Sequence, residues 1–334
     1  MPVSYPYAAF AALADRDPAA LRHESRLVEA SAPGRVELAG NHVDHQGGCT
    51  ISAAVGQRCR CLAARRDDGS REARLVMEGF GEATLRVDDL DPRPEERGTS
   101  TALVRGMLAG YARSGAGRLA GFDLAVCSDV PAGCGLSSSA AFEMMLATTL
   151  HRLFDEPGAP DPDPVGLALW GSHVEQAYFG KLAGAQDQLA SLYGGVSLLD
   201  FSAPRPVRTA LDFDPHLLGC TPMLVDSRCE HAQHTDEFSS ITSEMSSVAA
   251  LLGAARLIDV PFAAFLAALP EVRAQLGDRP ALRALHFYEE TRRVKQQARA
   301  LRAGDRDGLQ ELLADGDRIK RALDDGEQAS DRKG

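Results

Sequence analysis

The chain is short of positive charge. Lys and Arg number 36 against 47 Asp and Glu in 334 residues, a net charge of −11. A nucleic-acid binder needs cations against phosphate, so that class is excluded, although a few local donors suffice for one triphosphate. Long apolar runs are missing too. The most apolar stretch, Val248 to Leu269, is broken by Arg256, Asp259 and Pro261, and a membrane span needs roughly 20 apolar residues. The opening MPVSYPYAAF lacks a basic start leading into an apolar core, so no secretory signal is expected. Cysteines are few and odd in number, at 49, 59, 61, 127, 134, 220 and 229. That pattern suits free thiols in a reducing compartment, not a disulfide framework. No internal repeat is present. The expectation is a soluble cytoplasmic enzyme or binding protein. A length above the roughly 250–300 residues at which one core divides implies two domains.

What is present reads as mixed α and β, without the steady alternation of a doubly wound sheet. Residues 7–23 suggest an amphipathic helix interrupted by Pro18. Residues 50–66 are β-prone at first and then basic, and Arg74 to Val87 alternates weakly. Pro92 to Gly98 reads as a loop and Thr101 to Ala112 as a helix. Gly121 to Ser128 alternates like a strand, and Ala140 to Leu153 is apolar enough for a buried helix. After the breaker PGAPDPDP at 157–164 comes a helix from about Val165 to Tyr178, then a strand over Gly194 to Phe201. Residues 203–208 form the best candidate boundary. Beyond it, Thr221 to Asp226 is strand-like, followed by helical patterns near 236–256, 261–269 and 278–303. The tail Asp315 to Gly334 holds eleven charged residues and reads as solvated.

The strongest local signal is VPAGCGLSSSAA, Val130 to Ala141, between a predicted strand and a predicted helix. Gly133 and Gly135 permit positive φ and close approach of backbone to a ligand. The helix start presents unpaired N–H groups and a partial positive charge, which suit phosphate. Ser137, Ser138 and Ser139 add hydroxyls. The turn is neither the usual nucleotide loop, GxxxxGK followed by Ser or Thr, nor the GxSxG elbow of a serine hydrolase. A plain turn with serine caps is the alternative.

A second signal is APGRVELAGNHVDHQGG, Ala32 to Gly48. A short strand over Arg35 to Leu38 ends at Gly40 and releases Asn41, His42, Asp44 and His45 into a loop. Short polar side chains on a rigid turn suit a polyol, since a carboxylate accepts from neighbouring hydroxyls and amide or imidazole groups serve both ways. His42, Asp44 and His45 match no closed zinc spacing, and Cys229, His231 and His234 have no second ligand cluster. Downstream, WGSHVEQAY puts Glu175 on a helix, and KLAGAQDQLASLYGG carries Gly184 and Asp187. Taken alone, Glu175 reads as a solvated carboxylate and Asp187 as a helix cap.

Together these blocks resemble the GHMP kinase superfamily and, within it, the galactokinases. The opening signature PGRxNxxGEHxDYxGG is kept at Pro33, Gly34, Arg35, Gly40, His42, Asp44, Gly47 and Gly48. The signature PxGxGLSSSA is kept at Pro131, Gly133, Gly135, Leu136, Ser137, Ser138, Ser139 and Ala140. A Glu followed by CGxMDQ is met by Glu175, Gly184, Asp187 and Gln188. The resemblance covers residues 30–315 and implies an α+β, two-domain fold. A ribosomal S5 domain 2-like N-terminal domain (1–205) would be joined to a ferredoxin-like C-terminal domain (206–334), with the active site in the cleft between them. It implies transfer of the ATP γ-phosphoryl group to the C1 hydroxyl of galactose by a monomer. Pro131, Gly133, Cys134, Gly135, Leu136 and Ser137 to Ser139 would bind ATP, and Ser139 with Glu175 would hold Mg²⁺. Asp187 and Arg35 would be catalytic, and Asn41, His42, Asp44 and Gly184 would hold the sugar.

The sequence also departs from the family pattern. Asn41 replaces a Glu and His45 a Tyr; both look like features of one branch. Phe238, in HAQHTDEF, aligns with a family Tyr near the sugar and cannot donate a hydrogen bond. The closing Gly-rich block, like GAGxGGC, has no counterpart. The expectation is a truncated or frameshifted product of reduced stability. The alternatives are a catalytically weak sugar- and ATP-binding relative, or a kinase for another hexose such as N-acetylgalactosamine.

Overall fold

The structure is a computed structural model that describes residues 5–15, 27–213, 219, 223 and 235–314. Expectations for the strand at 221–226, for Cys229, His231 and His234, for the Phe238 side chain and for the tail 315–334 lie outside the described residues.

The chain forms two compact units. The first comprises Met1–Val36 and Ala54–Gly194, the second Glu37–Ala53 and Gly195–Gly334. A single boundary at 205/206 does not describe this interleaving. Its cause is that two long strands, β1 (Val28–Ala39) and β2 (Cys49–Arg65), each contribute to both units.

In the first unit, β2 pairs antiparallel with β5 (Phe122–Ser128), from Cys59 opposite Ser128 to Arg65 opposite Phe122. β5 pairs in parallel with β3 (Glu72–Met77), which forms a hairpin with β4 (Gly81–Arg86). Strand alternation sorts the side chains between two faces. Phe122, Leu124 and Val126 join Cys59, Cys61 and Ala63 in the main core. Ala125, Leu62 and Ala64 point the other way and pack under Phe10 of α1 (Tyr5–Ala14). The main core is completed by four helices: α2 (Ser100–Ser114), α3 (Ser138–Phe154), α4 (Pro164–Val174) and α5 (Gln186–Tyr193). Asp163 caps α4, its carboxylate accepting from Val165 N at 3.2 Å and Gly166 N at 3.0 Å, with Pro164 at the first helical position.

In the second unit, β2 continues antiparallel against β6 (Val196–Asp200), which pairs with β7 (Val207–Leu211). Three helices follow: α6 (Thr235–Leu251), α7 (Phe262–Leu276) and α8 (Asp278–Ala303). Met245, Val248 and Ala249 of α6 meet Phe265 and Val272 of α7 and Ala281, Ala284 and Phe287 of α8. Further along α8, Val294 and Ala298 turn to Cys49, Ile51 and Leu211 of the sheet. Residues 306–314 are helical. The pattern expected over 261–269 stops at Pro270, yet α7 continues through that proline. No helix among the described residues is long and apolar enough to cross a membrane.

Candidate functional site

Arg35 and Asp187 meet in the first unit. Arg35 Nε donates to Asp187 Oδ1 at 2.8 Å, Nη2 lies 2.5 Å from the same oxygen, and Nη1 donates to the Gly135 carbonyl at 2.7 Å. Ser137 Oγ donates to Asp187 Oδ2 at 2.5 Å. One carboxylate is thus shared by a guanidinium from β1 and a hydroxyl from the turn at 130–139. Burial pushes the Asp187 carboxyl up, but Arg35, Lys181 and the Ser137 hydroxyl outweigh it and hold it below the usual carboxylate range.

Local structure sets this up. Arg35 N donates to the Leu136 carbonyl at 3.0 Å, so β1 runs against the turn. Gly34 permits that approach: a Cβ there would stand 2.8 Å from the Leu136 oxygen and 2.9 Å from Val130 Cγ1. Pro131 to Gly135 are exposed, Leu136 is buried, and Ser137 to Ser139 are half-buried at the start of α3. Gly133 and Gly135 take positive φ, and so does Ser137 at +53°. A left-handed serine costs about 1–2 kcal/mol. Its hydroxyl makes no cap bond to α3 and goes to Asp187 instead. Cys134 is an exposed free thiol.

Glu175 is fully buried at the end of α4, in a wide π-type turn over Glu175–Phe179. Ser139 Oγ donates to Glu175 Oε1 at 2.6 Å, and Lys181 Nζ reaches the same oxygen at 3.3 Å. Burial lowers the Lys181 ammonium, but the Glu175 and Asp187 charges overcome it and leave it raised. Glu175 Oε2 has no hydrogen-bond partner among the described residues. Gly184 sits just before α5, in a turn held by the Ala183 carbonyl, which accepts from Ser172 Oγ at 3.0 Å and Gln176 Nε2 at 2.7 Å.

Asn41, His42 and Asp44 belong to the second unit. Their loop is fixed through its backbone. Gly40 N donates to Glu290 Oε1 at 2.9 Å, and the Asn41 carbonyl accepts from His286 Nε2 at 2.8 Å. Gly40 has φ +97°, with Cys49 and Thr50 backbone 2.6 Å from where a Cβ would lie. His42 is also left-handed, at φ +56°. Buried Gln46 accepts from Leu257 N and donates to Ser246 Oγ, both at 3.0 Å.

The structure therefore brings together Arg35, Asp187, Gly135 and Ser137, and separately joins Ser139 to Glu175. Sequence reasoning missed Lys181, Gln46, His286 and Glu290. Gln46 lies inside the opening block and Lys181 beside the third, but α8 carries no local signal for a loop 250 residues away. Among the described residues no group of three or more His, Cys, Asp or Glu side chains forms a metal cluster. Mg²⁺ is less demanding, since it uses one or two protein oxygens together with phosphate and water. Ser139 Oγ and the unpartnered Glu175 Oε2 fit that donor set.

Residues 102–195 match the model for the N-terminal domain of GHMP kinases, and residues 21–65 match the galactokinase galactose-binding signature. Fold and site together define a GHMP kinase, mixed α+β. Among solved structures, Lactococcus lactis galactokinase complexed with galactose superposes with a TM-score of 0.73 at 22% identity, covering 95% of this chain and 78% of that one. L. major mevalonate kinase in complex with R-mevalonate gives 0.53 at 15% identity, covering 89% and 76%. Both speak for the fold. Sequence relatives narrow the class. A galactokinase of Streptomyces coelicolor is 32% identical over 294 residues, 86% of this chain and 72% of the relative. One of Actinobacillus pleuropneumoniae is 30% identical over 293 residues, 85% and 71%. The chain belongs to the galactokinase family, and it is a sugar kinase, a phosphotransferase with a sugar hydroxyl as acceptor.

Proposed function

We propose that this protein transfers the γ-phosphoryl group of ATP to the C1 hydroxyl of galactose, as a monomer in the cytoplasm. The observation that carries this is the single carboxylate of Asp187 held by Arg35 and by Ser137 of the glycine-serine turn. Phosphoryl transfer depends on positioning and on neutralising spread charge, so an acceptor-facing carboxylate beside a phosphate cradle is the arrangement it needs. Asp187 stays ionised at neutral pH and orients the C1 hydroxyl. Its lowered affinity for protons makes it a weak base before transfer, so it accepts the proton late, as the oxygen bonds to phosphorus. Arg35 offsets the charge of Asp187 and of the transferring group. The N–H groups of the turn at 133–139 cradle phosphate oxygens. Ser139 and Glu175 would hold Mg²⁺, which when bound neutralises phosphate charge. Asn41, His42, Asp44 and Gly184 take the sugar hydroxyls.

A second acceptor, N-acetylgalactosamine or another hexose, is kept in view by one observation. Asn41 stands where the family pattern has Glu, which exchanges a charged acceptor for a neutral amide. Coupled ADP release over a panel of hexoses decides. Galactose-dependent release of ADP with formation of galactose 1-phosphate is expected. Turnover with a different hexose alone transfers the assignment to that sugar. Binding of ATP and galactose without turnover makes the protein a sugar- and ATP-binding relative.

A further inference from the structure

Outside the groups given a role above, the described residues of the first unit bury one more carboxylate completely. Glu143 lies on α3, the helix that starts at the glycine-serine turn, and Gln188 directly follows Asp187 on α5; both side chains are 0% exposed. Gln188 Nε2 donates to Glu143 Oε2 at 2.9 Å. A third helix closes over the pair. On α4, a Cβ at Gly171 would stand 2.9 Å from each of Glu143 Oε2, Gln188 Cγ and Met144 Cε, so α4 covers this bond closely and any side chain at 171 would have to displace these atoms.

The arrangement is expensive. Glu143 Oε1 and Gln188 Oε1 have no hydrogen-bond partner among the described residues, and buried polar atoms left unpaired cost about 1–3 kcal/mol each. Apolar side chains of similar size would hold the helices together without that cost. What an apolar pair lacks is direction: it lets helices slide, whereas a hydrogen bond fixes one register. Arg35 and Ser137 aim the Asp187 carboxylate, and Glu143 ties the next residue on the same turn of α5 to the helix of the phosphate turn. We propose that the Glu143–Gln188 hydrogen bond is a latch that sets the depth and register of α5 against α3. Glu143 is then a positioning residue for phosphoryl transfer, acting through Gln188 on Asp187. This rests on the kinase function proposed above for the same site.

Two variants of the full chain test it, measured beside the unsubstituted protein. Glu143→Leu keeps the volume and removes the acceptor. Glu143→Gln keeps an acceptor for Gln188 Nε2. In the ADP-release assay, Glu143→Leu should lower kcat at least about tenfold with KM for ATP within about threefold, because a misplaced reacting group costs rate more than ground-state binding. Glu143→Gln should recover kcat to within about threefold, since one neutral hydrogen bond replaces another. Amide hydrogen exchange over residues 186–193 gives a readout independent of turnover. It should speed up about tenfold in Glu143→Leu, the equivalent of one lost hydrogen bond, and return in Glu143→Gln. Unchanged kcat in Glu143→Leu, unchanged exchange on α5, or a Glu143→Gln variant as impaired as Glu143→Leu each overturns the latch. If the unsubstituted chain releases no ADP with any hexose, the kinase function fails, and the exchange comparison alone decides the latch. Should Glu143→Leu not melt cooperatively, Gln188→Met removes the donor instead, and the same loss of exchange protection is required.

Discussion

The two glycine-bearing loops are held in opposite ways. In the first unit, the turn at 130–139 is fixed by groups that are themselves the candidate chemistry: Arg35 bonds Gly135, and Ser137 bonds Asp187. In the second unit, the loop at 40–48 is held by residues with no proposed contact to substrate: Glu290 and His286 through its backbone, and Ser246 through the Gln46 side chain. One site braces itself, and the other is braced by a scaffold. A substitution in the first should therefore change rate, and one beneath the second should change stability and sugar affinity.

The largest effect should come from Asp187→Asn. Removing the ionised acceptor while keeping its shape should lower kcat by about a thousandfold, within the range for a positioned acid–base group. Affinity for ATP should stay within about threefold, since the carboxylate faces the acceptor and not the nucleotide. ADP release and a nucleotide titration measure the two; an unchanged rate would show that Asp187 has another role.

Glu290→Leu tests the scaffold. Arg293 is 3% exposed, pairs with Glu290, and has Nε and Nη2 without partners among the described residues. Losing Glu290 strands that guanidinium and the Gly40 N–H together, a cost of about 3 kcal/mol or more. Denaturant midpoints should show it, and KM for the sugar should rise more than kcat falls. A loss below about 1 kcal/mol, the scale of a surface substitution, means that the loop is held some other way. Gly34→Ala should act more weakly, because it strands no buried charge: its new methyl group meets the Leu136 carbonyl oxygen at 2.8 Å, a backbone atom that resists displacement, and Val130 Cγ1 at 2.9 Å, a side-chain end that can move. Overpacking there should cost about 1–2 kcal/mol and raise KM for ATP by several-fold. Equal stability and KM would mean that the turn does not depend on the close approach of β1.

How much of this was legible in the sequence follows from how local each signal is. The alternation of Phe122, Leu124 and Val126 announced β5, and the apolar run from Ala140 announced α3. The Pro33-Gly34 pair reads as a break, yet β1 runs through it, because Gly34 packs against the turn instead of bending the chain. The helix expected over Val165 to Tyr178 ends at Val174 and opens into the wide turn that carries Glu175. Asp187 by itself looked like a cap, since nothing within its own segment reveals a guanidinium 152 residues upstream. Only the order of the three motifs linked them. Glu290 had no such motif, and helix periodicity marks it merely as a polar position on α8.

Glu143 and Asp187 lie in the same unit and should respond to pH with opposite sign. Burial, followed by the charge of Glu175, raises the Glu143 carboxyl well above its ordinary value. The folded protein then binds a proton that the unfolded chain releases once pH exceeds the ordinary carboxylate value. Stability from this group is full below that value and falls as pH climbs towards the raised one. Asp187 is lowered, so its contribution is present above the ordinary carboxylate value and is lost as pH falls through the lowered one. Glu143→Gln, which cannot ionise, should gain in Tm on the unsubstituted protein as pH rises from 4 to 8, with little difference at the acid end. Asp187→Asn should show the reverse, its deficit in Tm shrinking as pH falls below 4. The carboxylate that supports the frame would then be the one better replaced by an amide, and the one that faces the acceptor the one that cannot be. A Tm difference for Glu143→Gln that stays constant across the range would mean that Glu143 ionises as freely in the fold as out of it.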